Sequence, residues 1–196
     1  MINSFVDYEK SSKMLLAVLP LMAVCNLCTV TVAAICIFLF SVSVTAVAIY
    51  LLKDFLIKSA VVPAAVLIAV GASGIAACVI SVFAKEAVEA IGYYVAVIAV
   101  EAVFVLPKSK KTEITAKRYF TETAIYAIGA VTVLFASGLI REFFGKGSIF
   151  SVDVFTKWFL PIEFLASPAG GLFIAALFAI VFKAIFKPNK EREAAK

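Results

Sequence analysis

From Met14 to Leu52 the chain carries no charged residue. That run of 39 residues is about twice the ~20 that an α-helix needs to cross the hydrocarbon core of a bilayer. One helix of that length would overshoot, so the run predicts two membrane segments with a turn between them. The polar cluster Asn26 to Thr31 is the natural place for the turn. A short first segment is expected at about Lys13–Val24 and a full second one at about Val30–Leu52.

The rest of the chain reads the same way. A third segment is expected between Lys58 and Lys85, and a short fourth at about Ala90–Leu106, which carries Glu101. A fifth is expected at about Tyr119–Ile140 and a sixth at about Pro168–Phe186, its approach punctuated by Pro161, Pro168, Gly170 and Gly171. Of the 196 residues 64% are apolar, and only 16% are charged, against roughly 25% in a soluble domain. Six segments of roughly 20 residues would use about 120, close to the whole apolar complement. A disordered chain, a nucleic-acid-binding domain and a secreted disulfide scaffold are excluded. A transmembrane barrel would show alternating segments of about 10 residues, and these runs do not alternate.

The 18 basic residues are unevenly placed. Fourteen fall in the N-terminus, the 2–3 loop, the 4–5 loop and the C-terminal tail; four fall in the other loops. Lys and Arg collect on the cytoplasmic side, so both termini are expected there, in the inner membrane of a prokaryote. The first 13 residues include Asp7, Glu9, Lys10 and Lys13, and no small-residue cleavage site follows, so no cleavable signal is expected. The expected fold is all-α: one transmembrane domain over 1–196, six helices in two inverted halves of three, at about 14–84 and 87–186. Short segments at corresponding places, here 1 and 4, are the mark of such repeats.

Histidine is absent, which removes the commonest general base and metal ligand. No phosphate loop, dinucleotide fingerprint, nucleophile triad or zinc spacing is present, so any chemistry belongs to a larger complex. Cys25 and Cys28 form a Cys-x-x-Cys whose spacing would put both thiols on one face of a continuous helix. Thiolates are the usual ligands of iron–sulfur clusters; the plainer reading, two small residues packed at a helix interface, is preferred. Cys36 and Cys78 read as packing residues. Glu101 lies inside an apolar segment, where an ionised side chain costs on the order of 3 kcal/mol. It reads equally as a proton or cation site and as a carboxylate reaching the interface. Arg141 reads as an interface anchor beside Glu142, and Gly145 and Gly147 as a tight turn. Lys108, Lys110, Lys111, Lys117 and Arg118 set topology and can meet anionic lipid or an acidic electron-carrier domain.

Several stretches resemble the integral membrane subunits of the Rnf/Nqr electron-transport complexes, of the RnfE/NqrD type. Leu19-Pro20-Leu21-Met22-Ala23-Val24 resembles the family's Cys-Pro-Leu-Leu-Ala-Val, and Gly92 to Val103 sits where the family has a glycine and an apolar run ending in Thr-Asn-Cys. Leu139-Ile140-Arg141-Glu142-Phe143-Phe144-Gly145-Lys146-Gly147 resembles its Leu-Arg-Glu-x-x-Gly-x-Gly, and Pro168-Ala169-Gly170-Gly171 its Pro-Pro-Gly-Ala. The resemblance implies six segments in two inverted halves and a partner subunit of the same kind in opposite orientation. It implies a [2Fe–2S] cluster between the two, held by cysteines of broken helices 1 and 4. It also implies flavin- and iron–sulfur-carrying subunits and electron transfer coupled to Na⁺ or H⁺ movement. The family's two ligand cysteines correspond to Leu19 and Ala102 here, neither of which can bind iron, and no cysteine follows Cys78. If a cluster remains, Cys25 and Cys28 must carry this side of it. The competing expectation is the substrate-binding membrane component of an energy-coupling vitamin transporter, which needs no cluster. The lost cysteines favour it; the short segments 1 and 4 and the Arg-Glu-x-x-Gly-x-Gly stretch favour the electron-transport subunit.

Overall fold

The computed structural model describes residues 20–52, 54–57, 59–107, 115–149, 152–153 and 162–185. It is helical apart from one minimal β ribbon. Helix α1 is described from residue 20 and ends at 24, and α2 spans Cys28–Leu52. After them come α3 (Val61–Ser81), α4 (Lys85–Ile91), α5 (Tyr94–Val105) and α6 (Ala116–Lys146). The ribbon pairs β1 (Ser148–Ile149) with β2 (Val152–Asp153), Ser148 opposite Asp153. Then follow α7 (Glu163–Ala166) and α8 (Pro168–Ile185).

Helix α2 is the central strut. Its inward side is a 3.6-residue stripe that includes Val30, Ala34, Ile37, Phe38, Ser41, Thr45 and Ile49, all buried. Its other side, with Val32, Leu39, Phe40, Val44, Val47 and Leu51, is equally apolar yet exposed. In water that face would be a liability; against lipid tails it is what a spanning helix needs. Helix α3 presents Ala65, Ala69, Ala72, Ser73 and Ala76 to the interior. Small side chains let two membrane helices approach closely, and the Ser41 hydroxyl donates across this seam to the Ala69 carbonyl at 3.1 Å.

Helix α6 lies antiparallel along α2. Its end meets the start of α2, where the Glu142 carboxylate accepts from the Cys28 N–H. Its beginning meets the end of α2, where Tyr50, Tyr119 and Phe120 form a ring cluster with centroids 5.4–5.7 Å apart. Between these points Gly138 sits flush against Thr31, leaving no room for a side chain.

α2, α3 and α6 are each long and apolar enough to cross a membrane. α4 and α5 together make a fourth such unit, bent by 76° at Gly92–Tyr93. The apolar part of α8, Pro168–Val181, is shorter. Most of the expected first segment falls on residues outside those described. The expected helical membrane fold is what the chain adopts, with two differences. The fourth segment is interrupted rather than merely short. The fifth, expected to stop at Ile140, continues to Lys146 and carries Arg141 and Glu142 within it.

Candidate functional site

The first interruption is the break at residues 25–27, between α1 and α2. A helix end leaves up to four amides or four carbonyls without partners, and away from water each must find one. The Cys25 N–H still bonds to the Leu21 carbonyl at 3.3 Å; Asn26 then turns its N–H back to the Val24 carbonyl at 2.7 Å. The carbonyls of α1 and the amides of α2 remain to be satisfied, and successive residues of α6 satisfy them.

Arg141 is fully buried. Its Nη1 donates to the Met22 carbonyl at 2.5 Å and to the Ala23 carbonyl at 3.2 Å. Its Nε donates to the Leu165 carbonyl at 3.0 Å, and Nη2 to the carbonyls of Ala166 (3.2 Å) and Ser167 (2.8 Å). A guanidinium has five N–H groups, and here five carbonyl oxygens take one each. Two come from the C-terminal end of α1 and three from the end of α7. Positive charge at helix C-termini complements the macrodipole.

Glu142, the next residue, takes the opposite charge to the opposite kind of end. Its Oε2 accepts from the Cys28 N–H at 2.5 Å, where α2 begins, and its Oε1 from the Ser148 hydroxyl at 3.3 Å. Adjacent residues on an α-helix are turned by about 100°, so one position reaches α1 and α7 while the next reaches α2. Gly147, the C-cap of α6 with φ of 70°, ends the helix in a left-handed turn, and Ser148 follows at the start of the ribbon. Gly171 completes the packing: a Cβ there would collide with the Met22 carbonyl and lie 2.8 Å from Ala23 Cα and 3.0 Å from Arg141 Nη1.

Glu101 approaches α1 from α5. Only 2% exposed, it accepts the Leu21 N–H on Oε1 at 3.1 Å, while its buried Oε2 has no hydrogen-bond partner among the described residues. Its alternative reading, a carboxylate reaching the interface, is therefore replaced by a buried one tied to the first half-segment. Arg141 is likewise no interface anchor. The turn expected of Gly145 and Gly147 falls on Gly147 alone; Gly145 stays helical and gives room to Ala166.

Cys25 and Cys28 are both buried, but not on one helix face as their spacing suggested. α1 ends before the first and α2 begins at the second, so the pair flanks the break. The Cys25 thiol is hydrogen-bonded to the Thr31 side chain. Cys36 and Cys78 are exposed on outer helix faces rather than packed inside. Ala102, one family ligand position, is fully buried on α5; Leu19, the other, lies outside the described residues, as do Lys108, Lys110 and Lys111. A [2Fe–2S] group held from this chain at those two positions does not fit, because methyl and isobutyl groups offer iron no lone pair. The neighbouring Glu101 carboxylate is engaged with Leu21 through one oxygen. Sequence reading singled out the Arg-Glu pair but not its partners, which are main-chain carbonyls and leave no residue signature; the only trace is the pair of glycines before α8.

Fold and site together define a helical membrane protein with interrupted segments, the first of them held from inside by a buried cation and a buried anion. The chain belongs to the Rnf-Nqr subunit family: the model of that family, described as "Rnf-Nqr subunit, membrane protein", matches residues 1–186. Over 72 residues it is 38% identical to the NqrD-type subunit of the Na(+)-translocating NADH-quinone reductase of Pseudoalteromonas translucida (strain TAC 125). That match covers 34% of this chain and 34% of the relative, so it spans about a third of the relative's length. No solved structure matches.

Proposed function

We propose that this chain is a membrane subunit of an ion-translocating oxidoreductase of the Rnf/Nqr type, supporting electron transfer across the membrane coupled to Na⁺ or H⁺ movement. The observation that carries this reading is the family match over residues 1–186. The likeness to a subunit of a Na(+)-translocating NADH-quinone reductase supports it. Membership of the family also displaces the vitamin-transporter alternative.

In this reading the chain has no complete active site of its own. It works beside a related six-helix subunit of opposite orientation and beside flavin- and iron–sulfur-carrying subunits. Both termini face the cytoplasm, and the halves 14–84 and 87–186 form an inverted repeat. The interruptions at 25–27 and Gly92–Tyr93, one in each half, support that symmetry. Glu101 is the residue for handling an ion or proton, because its second carboxylate oxygen is buried and unspent. Cys25 and Cys28 pack the break; a cluster in the complex draws its ligands from other chains.

Purifying the complex through a tag on this chain, with iron and flavin analysis, tests the reading. Flavin- and iron–sulfur-containing partners are expected. Recovery with paired ATPases, or with no redox partner under conditions that preserve membrane complexes, overturns it.

A further inference from the structure

The Arg141 site differs from an ordinary buried salt bridge. Among the described residues no carboxylate pairs with this fully buried charge. Its neutralisation comes from five main-chain carbonyls at two converging helix ends, α1 and α7. Half-helix C-termini and unwound carbonyls are the groups that hold cations within broken-helix membrane proteins, and here they surround a cation that is part of the chain. We infer that the meeting point of α1 and α7 is a guanidinium-binding cage whose occupant is tethered, and that the Arg141 side chain seals the first interruption against a second cation.

Three features support this. The donor count of a guanidinium matches the acceptor count one to one, which the three donors of an ammonium cannot do. The cage walls are crowded: Gly170 meets the Phe164 carbonyl and Leu165 backbone, and Gly171 meets Met22 and Ala23, so the carbonyls cannot spread without unpacking α8. The cage also joins two discontinuities, the α1–α2 break and the α7–α8 junction at Ser167, so one charge closes both. The inference concerns this chain alone and stands apart from any role in electron transfer.

The test uses the full chain in lipid nanodiscs. Arg141→Ala empties the cage, and methylguanidinium is then titrated while thermal unfolding is followed. The melting temperature of Arg141→Ala should rise saturably by several degrees, whereas the unaltered chain, its cage full, should gain nothing. No saturable rise overturns the proposal. A rise of equal size with NaCl at the same concentration also overturns it, because the cage would then select charge and not guanidinium. If Arg141→Ala does not fold, Arg141→Lys and Arg141→Met are compared. Lysine should melt between methionine and arginine, since it restores the charge and part of the bonding. A lysine variant no better than methionine overturns the inference.

Discussion

At residues 25–27 every loose helix end meets a side chain from elsewhere in the chain, whereas at Gly92–Tyr93 the backbone closes largely on itself. Around the first interruption Leu21, Met22, Cys25 and Cys28 are all buried, and Arg141 and Glu142 supply five donors and a carboxylate. At the second, Gly92 takes a φ of 50° and returns its N–H to the Val88 carbonyl. Val95 and Ala96 bond back to Gly92 and Tyr93, with no side-chain cap on α5. Tyr93 is 97% exposed. An interruption enclosed by protein has no water and little spare backbone to satisfy it, so it needs imported charge. One at the surface of the fold needs only a residue that tolerates positive φ. Glu101 ties the two together: it stands on α5, beyond the second interruption, and holds Leu21, before the first.

If that contrast is right, crowding the first site should do the most damage. Gly171→Val places a branched side chain against the Met22 carbonyl and the Arg141 guanidinium. The cost should reach ~3 kcal/mol, the upper part of the usual range for overpacking. Gly74→Ala, where nothing lies within 4 Å of the added Cβ, is the matched control and should stay within about 0.5 kcal/mol of the parent. Thermal unfolding in nanodiscs reads both. Equal losses would mean that α8 does not clamp the break.

Removing the anion should cost less. Glu142→Ala leaves the Cys28 N–H and the start of α2 without their acceptor; a hydrogen bond to a charged group is worth ~1.5–3 kcal/mol. Glu142→Gln keeps an acceptor without the charge and should recover about half. Hydrogen exchange at the first amides of α2 checks the locality: protection should fall there and hold at Gly92. If protection falls equally at both interruptions, they are not separately supported.

The outline of these features is legible in residue order, and their support is not. Charge-free runs place α3 and α8 within a few residues of where they lie, and the polar cluster from Asn26 marks the first turn. The same rule ends the fifth segment too early, because Arg141 and Glu142 read as a boundary when they are a helix's buried working face. Charge tells where a chain prefers water only when no other element brings it a partner, and the partners here are carbonyls of α1 and α7. Glu101 was ambiguous for a similar reason: whether a carboxylate in a short segment reaches the interface or a neighbour depends on the bend at Gly92. That bend was marked by one glycine within an otherwise apolar run.

The second interruption should be correspondingly forgiving. At Gly92 an added Cβ would meet only the Glu89 carbonyl, at 3.4 Å, so Gly92→Ala is a test of backbone strain and not of space. A left-handed residue with a side chain costs ~1–2 kcal/mol. The loss should fall in that window and leave the Cys28 amide protected. A loss matching Gly171→Val would remove the distinction between an interruption carried by backbone and one carried by charge.

The smallest effect is expected at the thiols, and there the comparison turns on iron. Cys25 and Cys28 sit on either side of the enclosed interruption, within reach of the charges that hold it, while the exposed interruption has no thiol beside it at all. If they are packing residues, replacing both with serine exchanges two small buried groups for two others. Cys25→Ser keeps a hydroxyl beside Thr31, and the Cys28 N–H keeps its bond to Glu142, since that bond is main-chain. The double variant should then lose no more than about 1 kcal/mol, and the assembled complex should keep all its iron and its electron transfer. Loss of a cluster from a complex that remains assembled would contradict this. Metal binding would then lie at the interruption held by Arg141 and Glu142, displaced from Leu19 and Ala102 to the start of α2, and the enclosed break would be a redox site rather than a sealed joint.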